Sequence, residues 1–160
     1  MKHIKFTSEH ITKAKELSDE MGKLKNSITK GDGNLAGFIG ELLVSEYLGS
    51  SLCNTYDYDL IHKGIKIDVK TTRTTVTPLS SYECSIPAYN TKQGCDVYCF
   101  VRINMESKDA WILGYKNKQE YFDMATYRKK GQRREDGWLV KATCYTNLIK
   151  DLDNIDKLAV

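Results

Sequence analysis

The chain has 160 residues, 41% of them hydrophobic and 28% charged, with a formal net charge of +3. That length fits one ordinary domain, read here as spanning 1–160, large enough to fold without disulfides or a structural metal. The composition excludes a disordered or fibrous chain, and neither a charged-then-apolar leader nor an 18-residue apolar run is present, so a soluble, cytoplasmic protein without a membrane partner is expected.

Five cysteines, Cys53, Cys84, Cys95, Cys99 and Cys144, form an odd set with no Cys-x-x-Cys pair and no histidine at zinc-ligand spacing, which reads as reduced thiols. His3, His10 and His62 are scattered and suggest no catalytic arrangement.

From Ser8 to about Lys25, apolar residues recur at Ile11, Ala14, Leu17 and Met21, the spacing of an amphipathic helix. Gly31-Asp32-Gly33-Asn34 breaks it, and Asn34 is expected to cap a second helix carrying Leu35, Phe38, Ile39, Leu42 and Leu43, with Gly49 beyond its end. Glu41 lies off that apolar stripe, and Gly37 and Gly40 beside it suggest close backbone packing on a neighbouring sheet.

Tyr56–His62 and Ile65–Thr71 read as strands joined by Lys63-Gly64, a pair suited to a two-residue hairpin turn. Counting from the turn sets His62 opposite Ile65, Leu60 opposite Ile67 and Asp59 opposite Asp68. Tyr58, Leu60, Ile65, Ile67 and Val69 then share an apolar side, and Asp57, Asp59, Asp68 and Lys70 the other. Residues 72–94 read as loop with a short strand near Tyr82–Ile86, followed by strands at Val97–Ile103 and Ala110–Tyr115. Asn117 with Glu120 resembles a capping box for a helix over Lys118–Lys129 stopped by Gly131, and a strand and a last helix follow Trp138. Trp111 and Trp138 both read as core residues.

Like charges directly opposite in an antiparallel pair destabilise it by roughly 0.2–1 kcal/mol, so Asp59 across from Asp68 calls for a cation. A divalent metal such as Mg²⁺ takes carboxylate and carbonyl oxygens, and the Val69 carbonyl lies between Asp68 and Lys70. Lys70 beside it suits the stabilisation of charge on a phosphate or the activation of an attacking water. A lone Asp-x-Lys is ordinarily a solvated hairpin face. The combination of a helical carboxylate, two strand carboxylates and an in-register lysine favours a site.

Asn34-Leu35-Ala36-Gly37-Phe38-Ile39-Gly40-Glu41, Asp57-Tyr58-Asp59-Leu60 and Ile67-Asp68-Val69-Lys70-Thr71-Thr72 together resemble the PD-(D/E)xK nuclease superfamily. Its pattern is a helical Glu, an Asp on one strand, then an acidic residue and Lys on the next. Tyr58 stands where that pattern has Pro, and Asp57 competes with Asp59 as the first ligand. The resemblance implies an α/β, restriction-endonuclease-like core whose mixed central sheet is flanked by helices. It also implies a Mg²⁺-dependent DNA endonuclease, with Mn²⁺ able to substitute, of phage-type or homing kind and in the host cytoplasm if phage-encoded. A junction-resolvase-like enzyme, an RNA-directed nuclease or an inactive nucleic-acid-binding module of the same fold are the alternatives.

In that scheme Asp59, Asp68 and the Val69 carbonyl bind the metal, Glu41 binds it directly or through water, and Lys70 assists the attacking water. Arg128, Lys129, Lys130, Arg133 and Arg134 around Gly131 are expected to meet the DNA backbone, as are Thr71, Thr72 and Arg73 after the catalytic strand. Gln93 and Tyr98 fall near positions that some branches use, and they and the cations Lys92 and Arg102 are given no role. With too little chain for a separate target-reading domain, a homo-oligomer is expected to set two sites on two strands.

Overall fold

A computed structural model describes residues 1–24, 32–53 and 55–160, with side chains for all of these except 21–24 and 32–34. In chain order the elements are β1 (Lys2–Lys5), α1 (Ser8–Leu24), α2 (Asp32–Leu48), β2 (Ser51–Leu52), β3 (Leu60–His62), β4 (Ile65–Arg73) and β5 (Glu83–Pro87). They continue with β6 (Val97–Asn104), β7 (Asp109–Asn117), α3 (Lys118–Met124), β8 (Thr126–Arg128), β9 (Cys144–Leu148) and α4 (Asp156–Ala159).

The fold is α/β with a mixed sheet flanked by helices. Six strands run in the order β1-β7-β6-β4-β3-β2, with β4 and β6 parallel and every other pair antiparallel. Parallel neighbours need a long crossover, and residues 74–96 supply it. That crossover carries β5, which joins β9 and β8 in a three-stranded antiparallel sheet that periodicity did not anticipate.

Side-chain alternation gives the larger sheet two buried faces. Ile67 and Val69 of β4 and Cys99 and Val101 of β6 pack with Phe38, Ile39, Leu42 and Leu43 of α2. Tyr98, Phe100, Trp111 and Leu113 point the other way, into a second core with Ile86, Tyr121 and Ile149. Burial on both faces explains why β6 reads as a nearly continuous apolar run. It likewise explains α2, which packs on β4 and also beneath α1, and is therefore apolar well beyond one stripe.

Several expectations are corrected. Helix α2 already begins at Asp32, so Asn34 lies in its first turn rather than capping it, while Lys25 and Gly31 lie outside the described residues. Asn117 does cap α3, accepting from Gln119 N at 3.0 Å and Glu120 N at 3.3 Å, but the helix stops at Met124 and not at Lys129. Thr126 and Tyr127, a β-branched and an aromatic residue, pair with Thr146 and Tyr145 of β9 instead. Trp111 is 8% exposed and belongs to the core as expected, whereas Trp138 is 66% exposed. Cys95 and Cys99 are buried small hydrophobes, and all five cysteines are free thiols.

Candidate active site

The site is built around one turn. Lys63 and Gly64 both adopt positive φ, 49° and 82°, the backbone of a two-residue hairpin whose twist matches its strands. This fixes His62 opposite Ile65 and Leu60 opposite Ile67, as the count predicts.

Beyond Leu60 the strand does not continue to Tyr56. Asp59 N still donates to the Ile67 carbonyl at 2.9 Å, and then the chain bends away. Thr55 holds that bend through its hydroxyl, which donates to the Tyr58 carbonyl at 2.7 Å and accepts from Tyr58 N at 3.1 Å; such local bonds compete with a ladder. Asp57 accepts from Gly94 N at 3.0 Å and is exposed, so it sits apart from the site, and Tyr58 packs with the second core rather than beside Leu60.

Asp59 therefore lies just past the paired ladder instead of squarely facing Asp68. Its Oδ2 accepts from Val69 N at 2.6 Å, the amide that the next strand residue would have taken. Backbone groups of one residue point the same way from a strand, so the Val69 carbonyl turns into the gap where β3 and β4 part.

Asp68 and Lys70, two residues apart on β4, share a face. Lys70 Nζ stands 2.6 Å from Asp68 Oδ2. Gln93 ties them together, donating from Nε2 to Asp68 Oδ1 at 3.2 Å and accepting from Lys70 Nζ at 3.0 Å. Lys118 Nζ donates in turn to the Gln93 carbonyl. Asp68 is 3% exposed, and its Oδ2 meets the lysine's charge without hydrogen-bond geometry, so this buried oxygen has an ion pair but no hydrogen bond.

Glu41 reaches this group because α2 lies directly on β4. A Cβ on Gly40 would fall 1.9 Å from Thr71 Oγ1, so only glycine permits the approach. Gly37, by contrast, has nothing near it. The carboxyl of Glu41 is pushed up to about 9, first by burial and then by the charges of Asp59 and Asp68, with Lys70 opposing. Asp59 is pushed up to about 7 by burial and Asp68, against the Val69 amide and Lys70. Asp68 is raised by burial while Lys70, Gln93 and Lys118 pull it down.

Burial raises all three carboxyls, and the lysines that face them offset it only in part. Two carboxylates, one with an oxygen outside hydrogen-bond geometry, and a strand-end carbonyl are the hard donors that Mg²⁺ takes, so Asp59, Asp68 and Val69 fit the ion, with Glu41 beside them. Among the described residues, no three His, Cys, Asp or Glu side chains form a ready-made cage.

Gln93 and Lys118 are the members that sequence reasoning left without a role. Gln93 arrives from the crossover, and Lys118 stands at the start of α3, where a lysine after an N-cap carries no signal of its own. Tyr98 sits beside Asp68 in the β4–β6 register, its ring centroid 5.9 Å from Lys70 Nζ.

The residues expected to meet DNA divide. The Thr71 hydroxyl is buried against Gly40, on the α2 side of the sheet. Thr72 and Arg73 line a cleft of about 730 Å³ at the far end of β4. Arg128 is held by Glu83, with Nη2 2.5 Å from Oε1 and Nε 3.2 Å from Oε2, and Arg134 lies 2.5 Å from Asp136 and 3.5 Å from Glu83. Arg133 donates to the Gly137 carbonyl at 3.1 Å, while Lys129 and Lys130 are exposed. The basic run is thus a strand end and turn, not a helix terminus.

Among the described residues, no helix is long and apolar enough to cross a membrane. Neither protein-family models nor curated protein sequences yield a match to this chain.

Proposed function

We propose that this chain is a Mg²⁺-dependent DNA endonuclease with a PD-(D/E)xK, restriction-endonuclease-like core. The observation that carries the reading is the crowding of Glu41, Asp59 and Asp68 around Lys70 at the point where β3 and β4 part. A purely structural ion pair would match one carboxylate to one lysine. Here the acids outnumber the lysine and their carboxyls are raised together, the pattern of a site that waits for a cation.

Asp59, Asp68 and the Val69 carbonyl would hold Mg²⁺, with Glu41 directly or through water. When bound, the ion supplies Lewis-acid polarisation of the phosphoryl oxygen, and Mn²⁺ is expected to substitute. Lys70, clamped by Asp68 and Gln93, stabilises the negative charge that gathers on the phosphate as water attacks phosphorus and the bond to the leaving oxygen breaks. Gln93 fixes the lysine and the carboxylate in one geometry, and Lys118 anchors Gln93 from behind. Thr72, Arg73, Lys129, Lys130 and Arg133 remain the candidates for backbone contact, with Arg128 and Arg134 committed to acidic partners. A phage-type or homing enzyme acting as a homo-oligomer is the form proposed.

The test is plasmid cleavage by wild type, Asp68→Ala and Lys70→Ala in Mg²⁺, Mn²⁺ and EDTA. Metal-dependent cutting that falls by about 10²-fold or more in each variant is expected. Equal nicking by all three proteins would sink the site assignment, and a folded wild type that cuts only RNA in parallel digests would overturn the DNA reading.

A further inference from the structure

The cleft of about 730 Å³ beyond the catalytic strand is a second candidate site. It is lined by Thr72 and Arg73 of β4, Arg102 and Asn104 of β6, Tyr82 from the crossover and Trp138. Thr72 shares its side of the sheet with Asp68 and Lys70, so the cleft begins about 6.6 Å along the strand from Lys70. A nucleic-acid strand with a phosphate at Lys70 would carry its next nucleotides past this opening.

The lining chemistry decides what fits. Arg73, Arg102 and Arg134 are matched by Glu83, Glu106 and Asp136, so a bare polyanion gains little here. Aromatic and guanidinium faces are instead prominent. Trp138 is 66% exposed, yet its loop is braced: Arg134 N donates to the Trp138 carbonyl at 2.8 Å and Trp138 N donates to Asp136 Oδ1 at 3.1 Å. Arg102 lies over the Tyr82 ring at 5.4 Å, and among the described residues its guanidinium donates one hydrogen bond, to the Glu83 carbonyl at 2.7 Å. A guanidinium has five donors, and Arg102 is half-buried, so acceptors from a ligand would complete it.

We infer that this cleft takes one unpaired nucleobase of the substrate strand, stacked on Trp138 and read on its acceptor edge by Arg102, with guanine the best match. The inference rests on the endonuclease reading for its strand. The volume admits a nucleotide but not a double helix, so the base must leave its stack to enter. The site would therefore favour bulged, flipped or single-stranded positions next to the cut.

Three labelled DNA duplexes test this with Ca²⁺ in place of Mg²⁺: one with a single unpaired guanine, one with an abasic residue at that position and one fully paired. Binding is followed by anisotropy and by tryptophan emission. Wild type should bind the unpaired guanine about tenfold more tightly than the abasic duplex, with quenching of Trp138. Trp138→Ala should erase that preference and Trp138→Phe should keep most of it. Equal affinity of wild type for the guanine and abasic duplexes, or full preference in Trp138→Ala, overturns the pocket. If wild type still cuts plasmid in Mg²⁺, the pocket alone fails. If it neither binds nor cuts any DNA, the endonuclease reading fails and the pocket with it.

Discussion

Replacing Asp68 by Asn separates a metal site from an ordinary ion pair, because the two predict opposite signs. The rise of Asp59 from 3.8 to about 7 corresponds to about 4 kcal/mol against its ionised form at high pH. Burial is the first cause and Asp68 the second, with the Val69 amide and Lys70 opposing both, so the Asp68 repulsion contributes less than burial and is on the order of 1–2 kcal/mol. Asp68→Asn removes that repulsion, keeps an oxygen for Gln93 and leaves Lys70 to Asp59 and Glu41. At pH 8 in EDTA the variant should gain about 1–2 kcal/mol, or about 2–8 °C in melting temperature for a chain of 160 residues. A raised carboxyl stabilises the fold below its unfolded value, and that stability is lost as pH rises through its folded value. The gain should therefore shrink towards pH 5, where Asp59 and Glu41 keep their protons. Thermal melts in EDTA and in Mg²⁺ measure this, with Mg²⁺ raising wild type and leaving the variant unmoved. A variant that melts lower than wild type at pH 8 in EDTA would show that Asp68–Lys70 is a structural bridge and refute the reasoning.

The same carboxyls set the metal's pH dependence. Protons compete for Asp59 at about 7, so the Mg²⁺ concentration for half-maximal cleavage should fall from pH 6 to pH 8, and a constant value would contradict this. Gly40→Ala places a methyl 1.9 Å from Thr71 Oγ1 and should destabilise by about 1–3 kcal/mol in urea titrations while displacing Glu41. Adding Thr71→Ala should restore most of that stability. Joint neutralisation of Lys129, Lys130 and Arg133 should lower the salt dependence of DNA affinity by up to about 3 in slope, whereas Arg128→Ala should chiefly lower stability by breaking its bidentate contact with Glu83.

What the sequence revealed is local. Lys63-Gly64 dictates the hairpin, the hairpin dictates the register, and a spacing of two puts Asp68 and Lys70 on one face. Gly40 announced a close approach that nearest neighbours alone could not explain. What stayed hidden depends on distant partners. Strand β1 pairs Lys2 with Ile112, so a segment of four residues becomes a strand through a partner far away in sequence, and the short strand expected near Tyr82–Ile86 pairs Glu83 with Leu148 in a sheet the sequence did not show. Trp138 looked like core because a strand-like run follows it, but Gly137 at φ 88° and the bonds from Arg134 and Asp136 turn it outward.

The one geometric error at the site is informative. A strictly facing Asp59–Asp68 pair inside the ladder would leave two buried carboxylates against each other and keep the Val69 carbonyl occupied by a partner strand. Ending β3 at Leu60 resolves both: Asp59 gains the Val69 amide, the carbonyl is released into the gap, and Gln93 enters from the crossover to hold Asp68 and Lys70. The side-chain bonds of Thr55 and Asp57 that bend the chain away therefore help build the site, although neither residue belongs to it. Restoring the strand would strengthen the sheet and remove the gap in which a cation could be held.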